Sequence, residues 1–311
     1  MKLKWIFAPI LLVLLGVALW QIDLAALWHS LLQIPLWLII LLPLLQIASQ
    51  LLVNLQWYAI SNSSGVRIRF WRMFYVNCQG AVVDSITPGV KVGGEVTRAV
   101  RLRQEADCST EQAVAVVAVQ KMFSFAAFFA ISLLAVGYII AEIPHLWAAL
   151  AGVLAIIALA TLAAYIFRRK LRTFFRTLRE QVETLKQNRK LLAGLILLSL
   201  VIWIMYPVKL CLLVAQVSSI SIFHVAAVTF AAYMVAMLPI FPGGLGGFEG
   251  TMSSLLLTFG VAVGDAVAVT IVFRFVTFWF VMILALGVLA VNKSISFRLV
   301  PKKRRDNDKQ N

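Results

Sequence analysis

Charged residues are scarce in this chain, at 13% of its 311 residues against roughly a quarter in soluble domains. Apolar residues make up 62%, well above the roughly 45 to 50% of soluble proteins. This apolar excess excludes an intrinsically disordered chain, and 17 glycines with 9 prolines are too few for a collagen-like repeat. The composition therefore predicts an all-α, polytopic membrane protein.

Six long apolar runs predict membrane-spanning helices, because about 20 apolar residues cross a hydrocarbon core about 30 Å thick. They cover residues 5–22, 35–60, 112–140, 146–167, 191–215 and 265–291. A seventh apolar region, 220–263, is interrupted by Pro and Gly, so it predicts either two crossings or one re-entrant hairpin. We expect about eight membrane segments in total. No small-x-small site follows the first run, so we interpret that run as an uncleaved anchor.

Basic residues outnumber acidic ones by 28 to 13, and all but three of them fall in five clusters. These clusters lie at the N-terminus, at 67–72, at 91–103, at 168–190 and in the tail from 293. The loops at 21–33, 141–145 and 216–221 contain no Lys or Arg, so the positive-inside rule predicts that both termini face the cytoplasm of an inner membrane. A basic surface of this kind favours anionic phospholipid as a partner over nucleic acid.

The domain organisation follows from these segments. Residues 1–292 form the predicted membrane domain, and residues 293–311 form a basic cytoplasmic tail. Pseudo-repeats at about 35–143 and 191–292 are joined by residues 168–190, whose apolar positions recur every three or four residues. That spacing predicts an amphipathic helix at the cytoplasmic interface.

A short element occurs twice, 154 residues apart, as Pro88 to Glu95 and Pro242 to Glu249. The two copies agree in Pro, Gly, a second Gly and the Glu, and each is followed by a basic residue within the next apolar run, Lys121 or Arg274. The predicted topology brings the copies into the membrane from opposite faces. Such an inverted-topology repeat places a binding site near the midplane, where the two broken segments meet.

The residue types in this element indicate the chemistry of the site. Pro and Gly break a helix, and the helix that follows directs its free N–H groups and positive dipole end into the site. Glu95 and Glu249 can serve as helix N-terminal anchors, as proton acceptors or as partners for Lys121 and Arg274; close helix packing is the alternative role of the glycines. The predicted substrate pathway comprises Asp84, Pro88, Gly89, Gly93, Gly94, Glu95, Arg98, Lys121, Pro242, Gly243, Gly244, Gly246, Gly247, Glu249 and Arg274.

Three other polar positions lie on one stripe of the second apolar run. Gln46, Gln50 and Asn54 are spaced four residues apart, which predicts either interhelical hydrogen bonds or a polar conduit. Lys209 lies near the predicted outer end of its helix, where we expect its side chain to extend to the membrane surface without a functional role.

The sequence resembles the transmembrane region of lysylphosphatidylglycerol synthases, the flippase-like half of the multiple peptide resistance factor, and its stand-alone relatives. The resemblance rests on Thr87-Pro88-Gly89 to Gly94-Glu95 with Arg98, on the run from Leu238 to Gly250, and on Arg274 to Trp279. Relatives often have an acidic-basic pair and a later Asp in the third span, where this chain has Gln120-Lys121 and Ser124. The resemblance implies a membrane protein that handles lipids, with leaflet exchange as the activity of its best-known member; aminoacyl transfer in that enzyme belongs to a separate soluble domain.

The expected function is a flippase-like one, in which a polar phospholipid headgroup moves between leaflets through a midplane cavity. Two alternatives remain: an acceptor-binding membrane subunit of a lipid-modifying transferase, and a non-transporting scaffold in envelope lipid homeostasis. The chain has no Gly-x-x-x-x-Gly-Lys-Ser/Thr motif, and its three His residues have no metal-ligand spacing, so we expect no ATPase or other enzyme activity, no cofactor and no metal. A homo-oligomer or an envelope enzyme is the expected protein partner.

Overall fold

The computed structural model describes residues 28–30, 32–87, 92–142, 188–237 and 244–299, and the longer of these ranges are built from helices. In chain order these are α1 (Leu36–Ser63), α2 (Phe70–Ile86), α3 (Val92–Ala106), α4 (Thr110–Glu142), α5 (Arg189–Val214), α6 (Ile222–Ala236), α7 (Gly247–Thr258), α8 (Val263–Arg274), a π-helix (Phe275–Trp279) and α9 (Phe280–Leu299). No strand occurs within the described ranges, so the predicted all-α class is confirmed.

Four helical stretches in the described ranges are long and apolar enough to cross a membrane: Leu36–Ser63, Thr110–Ala135, Arg189–Val214 and Val263–Val291. They coincide with four of the six predicted spans to within a few residues. The predicted spans 5–22 and 146–167 lie outside the described residues, as do residues 168–187 of the predicted amphipathic helix and the end of the tail from 300. Asn188 caps α5 by accepting a hydrogen bond from the Leu191 N–H.

The distribution of polarity is that of a protein surrounded by lipid. Large apolar side chains point outward on several helices, with Leu134 on α4 exposed by 76% and Leu197 on α5 by 64%. Polar side chains are buried instead, among them Gln56, Gln120 and Arg274. Contiguous apolar surface on this scale would be unfavourable in water but is the expected outer surface of a membrane domain. The predicted polytopic membrane protein is therefore supported by its surface as well as by its helix lengths.

Two of the three buried apolar clusters in the described ranges lie in different halves of the chain. One core joins α2, α3 and α4 to α1, with Trp57, Met73 and Val116 at its centre. The other joins α6, α7 and α8 to α1 and α5, with Phe248 and Phe273 among its buried rings. Helix α5 packs against α1, α4, α6 and α8, while α9 returns to pack on α2. The two halves therefore share a contact zone, and the cavity described below lies in it.

The two repeated elements occupy equivalent places in the order of helices. In each half an apolar helix precedes the element, a short helix packed against it begins within the element, and the helix that carries the basic residue comes next. Helix α3 begins at Val92 and α7 at Gly247, so Glu95 and Glu249 both lie in a first helical turn. Within the described residues, the longer apolar region 220–263 contains the two short helices α6 and α7.

Candidate functional site

A cavity of about 230 Å³ lies between the two halves, and every helix except α7 contributes to its wall. Its lining is Gln50, Val53, Gln56, Trp57, Ala81, Asp84, Ser85, Glu95, Arg98, Gln120, Lys121, Ser124, Phe125, Ile202, Trp203, Tyr206, Tyr233, Ala236, Met237, Arg274, Thr277, Phe278 and Val281. Two carboxylates and three cations thus line one cavity between membrane-spanning helices. Charged groups at that depth are costly unless they are paired or face water, which is why they mark functional pathways.

In the first half, four charged side chains form one network. Glu95 Oε1 lies 2.8 Å from Arg98 Nη1 and 2.6 Å from Lys121 Nζ, and Arg98 Nη1 also lies 3.0 Å from Asp84 Oδ2. The side chains of Asp84, Glu95 and Arg98 are only 10 to 13% exposed. Ion pairs therefore link three helices, since Asp84 is on α2, Glu95 and Arg98 are on α3, and Lys121 is on α4.

A close approach of α2 and α3 makes this network possible. The Gly94 N–H donates to Asp84 Oδ1 at 3.1 Å, and a Cβ on Gly94 would overlap that carboxylate. Gly93, in the same turn, packs on the side chain of Thr87, which ends α2. The glycines here therefore permit helix contact, the alternative role considered for them above, and that contact positions the charged groups.

In the second half, the glutamate of the repeated element again pairs with the basic residue that follows it. Glu249 Oε1 lies 2.8 Å from Arg274 Nε, and Glu249 Oε2 accepts the Gly246 N–H at 2.7 Å. Gly246 has φ +83°, a left-handed conformation that favours glycine, so this residue can end the break and begin α7. Glu249 consequently serves both as N-terminal anchor and as ion-pair partner, which were separate possibilities in the sequence.

Aromatic rings hold the Arg274 guanidinium in place. Its Cζ lies 4.7 Å from the centre of the Phe248 ring and 4.3 Å from that of Phe278. Arg274 is the last residue of α8, and the π-helix Phe275–Trp279 follows it directly. Short π-helical turns inside α-helices are frequent at functional sites. Here the turn carries Thr277 and Phe278, which line the cavity beside Arg274.

Uncharged polar groups complete the wall. Gln120 Nε2 donates to Gln56 Oε1 at 3.0 Å, and the Gln56 amide donates to Ser199 Oγ, so α1, α4 and α5 are linked behind the cavity. Three buried polar atoms of cavity-lining residues have no hydrogen-bond partner within the protein: Glu95 Oε2, Arg98 Nε and Gln120 Oε1. Buried polar groups without partners are unfavourable, so these atoms are suited to bind water or a polar ligand.

The structure brings together much of the predicted pathway. Asp84, Glu95, Arg98, Lys121 and Arg274 line the cavity, and Glu249 contacts Arg274 from α7. The glycines do not line it: Gly93, Gly94, Gly246 and Gly247 lie at helix starts, and Gly244 packs on Ala236. Pro88, Gly89, Pro242 and Gly243 lie outside the described residues.

The expectation for Lys209 is wrong. Its side chain is fully buried rather than extended to a surface, and it donates to Gln46 Oε1 and to Ser49 Oγ. Of the polar stripe on α1, Asn54 also makes interhelical bonds, donating to the Phe70 carbonyl and accepting from Asn77. Gln50 lines the cavity instead. The interhelical hydrogen bonds predicted for the stripe are therefore formed by Gln46 and Asn54, while the polar conduit stays a prediction.

No group of three or more His, Cys, Asp and Glu side chains suited to a metal ion occurs within the described ranges. The arrangement instead defines a polytopic helical membrane protein with a charged, aromatic-walled cavity at the interface of two similar halves. The profile of the lysylphosphatidylglycerol synthase TM region matches residues 4–285, and the chain belongs to that family.

Two archaeal proteins are similar over most of their length. A UPF0104 membrane protein of Methanothermobacter thermautotrophicus is 27% identical over 288 residues, covering 81% of this chain and 84% of the relative. A UPF0104 membrane protein of Pyrococcus horikoshii is 23% identical over 322 residues, covering 90% and 96%. The family and these relatives agree with the resemblance stated from the sequence motifs.

Proposed function

We propose that this protein moves the polar headgroup of a phospholipid between the two leaflets through the cavity. The observation that carries the proposal is that one cavity is lined by Glu95, Lys121 and Arg274, which belong to the two Glu-cation pairs Glu95-Lys121 and Glu249-Arg274. A headgroup that crosses hydrocarbon unaided loses its hydration, whereas fixed charges and amide dipoles along a pathway replace it.

The charge balance of the site suggests how a headgroup binds. Asp84, Glu95 and Glu249 face three basic groups, so the cations are neutralised when no substrate is bound. A phosphate can replace the carboxylates of Glu95 and Glu249 at Lys121 and Arg274, and at Glu249 this releases the start of α7, where the carboxylate accepts the Gly246 N–H. Binding and local rearrangement are then the same event, as alternating access at a midplane site requires.

The surroundings of the protein are part of the proposal. Cytoplasmic termini in an inner membrane would place the basic clusters against the anionic leaflet, where each Lys or Arg near the surface contributes about 1 kcal/mol to lipid attraction. Anionic phospholipid is therefore the proposed substrate class, and the protein is proposed to act as a transporter rather than an enzyme.

Leaflet exchange of a fluorescent phosphatidylglycerol in reconstituted vesicles tests the proposal. We expect Arg274→Gln to slow exchange about tenfold or more, because a charged hydrogen bond to the headgroup is lost. Arg101→Gln is the matched control, since Arg101 is exposed on α3 and bonds only to Gln104. Exchange that is no faster than in protein-free vesicles, or equal in the two variants, would contradict the proposal for this lipid.

A further inference from the structure

A single lysine lies one helical turn behind the cavity wall, on α5. The residues of this helix that line the cavity are Ile202, Trp203 and Tyr206, and Lys209 continues their face by three positions. Its side chain is fully buried among the apolar residues of α1 and α5. A buried ionisable group in a membrane-spanning helix is costly to keep, so it requires a functional explanation.

The partners of Lys209 are all neutral. Its amine donates to Gln46 Oε1 and, at 3.1 Å, to Ser49 Oγ, while the Ser49 hydroxyl donates onward to the Leu45 carbonyl at 2.9 Å. No acidic side chain of the described ranges forms an ion pair with it. This separates Lys209 from Lys121 and Arg274, each of which has a glutamate.

The surroundings of Lys209 provide partners for both the neutral and the protonated amine. A neutral amine has two N–H donors, and the two oxygen acceptors satisfy them. An ammonium has a third N–H and a full charge, and the face of the Tyr206 ring, 4.5 Å from Nζ to the ring centre, can accept it as a cation–π contact. The Gln46 Nε2 group beside the amine is buried without an acceptor, so it can donate a hydrogen bond to a water molecule in the pocket.

Two residues link this pocket to the cavity. Tyr206, whose ring contacts the amine, lines the cavity, and Gln50, one turn along α1 from Gln46, lines it as well. The helices packed against α5 bring Lys121 from α4, Tyr233 from α6 and Arg274 from α8 to the cavity, whereas α1 has no charged residue. An anionic ligand bound at Lys121 and Arg274 would therefore lie on the cavity side of Tyr206, the ring that contacts the amine.

We propose that Lys209 is a proton-binding site of the membrane domain, and that its protonation couples a proton gradient to headgroup movement in the cavity. The coupling rests on the proposed function. The neutral amine takes a proton from water on one side of the membrane and returns it to water on the other. The positive charge of the ammonium then attracts an anionic headgroup on the cavity side of Tyr206.

Proton binding is tested without transport, through the pH dependence of thermal unfolding in detergent. Lys209→Met keeps the length of the side chain and removes the amine; Lys190→Met, at the exposed start of the same helix, is the matched control. We expect the Tm difference between wild type and Lys209→Met to change by about 3 °C or more between about pH 6 and about pH 9. An amine with the same protonation state in the folded and the unfolded protein would give a difference that is constant with pH, and that result overturns the proposal.

Coupling is tested in vesicles with an imposed pH gradient and a clamped membrane potential. We expect the gradient to change the rate of phosphatidylglycerol exchange about fivefold or more in wild type and Lys190→Met, and not in Lys209→Met. A Lys209→Met response equal to that of wild type overturns the coupling. If no protein exchanges lipid at all, the proposed function and the coupling both fail, and the unfolding experiment alone decides proton binding.

Discussion

Each half of the molecule pairs a partly buried glutamate with a basic residue, but the groups around the pair differ between the halves. In the first half, Glu95 shares two cations, Arg98 and Lys121, and its network extends to Asp84. In the second, Glu249 has Arg274, and the cation is held by aromatic rings in place of a second carboxylate. The duplicated element therefore specifies a glutamate at a helix start, while the half around it decides how the partner cation is stabilised.

One position in the repeat explains much of this difference. Gly94 in the first copy corresponds to Phe248 in the second. The glycine lets the Asp84 carboxylate reach the backbone of α3, whereas Phe248 is fully buried and places its ring against Arg274. The absence of a side chain at Gly94 leaves space for the Asp84 carboxylate, whereas the Phe248 ring fills the equivalent space. One position of the repeat can therefore support either a charge network or an aromatic contact with the cation.

The largest effect on stability is expected from breaking the first-half network at Arg98. Arg98→Met removes the cation that pairs with both Asp84 and Glu95 in a mostly buried position, which costs about 3 to 5 kcal/mol of unfolding free energy. Arg72→Met is the control, because Arg72 is 62% exposed in its pair with Glu105 and its loss should cost about 1 kcal/mol or less. Denaturant unfolding in detergent measures both; similar losses would show that the network contributes no more than a surface ion pair.

A smaller effect is expected from closing the space at Gly94. Gly94→Ala brings a Cβ into the Asp84 carboxylate, and the forced shift costs about 1 to 3 kcal/mol. Gly250→Ala, in α7 of the other half, meets no atom within 4 Å and should be neutral or stabilising by about 0.5 to 1 kcal/mol. Adding Asp84→Ala should recover part of the Gly94→Ala loss, as a double-mutant cycle of unfolding would show. Strict additivity would mean that the two groups do not press on each other.

Hydropathy predicted the helices better than it predicted their faces. The spans over α1, α4 and α5 were correct to within a few residues, since an apolar run of about 20 residues has few other structures available in a membrane. Which face of each helix is buried was harder to predict, because a helix that is apolar on all sides has no periodic pattern that indicates its orientation. Lys209 is the clearest example: its position near a helix end suggested a surface, but the acceptors Gln46 and Ser49 come from α1 and are far away in sequence.

The repeat was the part of the site that the sequence could predict. Matching glutamates, each followed by a basic residue at nearly the same distance, are a local pattern, and the pairs Glu95-Lys121 and Glu249-Arg274 are formed in the structure. The rings around Arg274, the Gln56-Gln120 bond and the π-helix depend on contacts between separate helices. The only sign of the π-helix was an arginine within an apolar, aromatic run, which does not distinguish it from a continuous span.

The smallest loss is expected at Glu249, and it is measured against the same change at Glu95. Glu249→Gln removes one ion pair from a side chain that is 27% exposed, and its amide oxygen can still accept the Gly246 N–H, so we expect a loss of about 1 kcal/mol. Glu95→Gln removes two ion pairs from a side chain that is 13% exposed and should cost about 2 kcal/mol more, since Lys121 and Arg98 then lack its charge. Unfolding of both variants at one pH measures the difference. Equal losses would show that the duplicated glutamates are energetically equivalent, and that Arg98 depends on Asp84 alone.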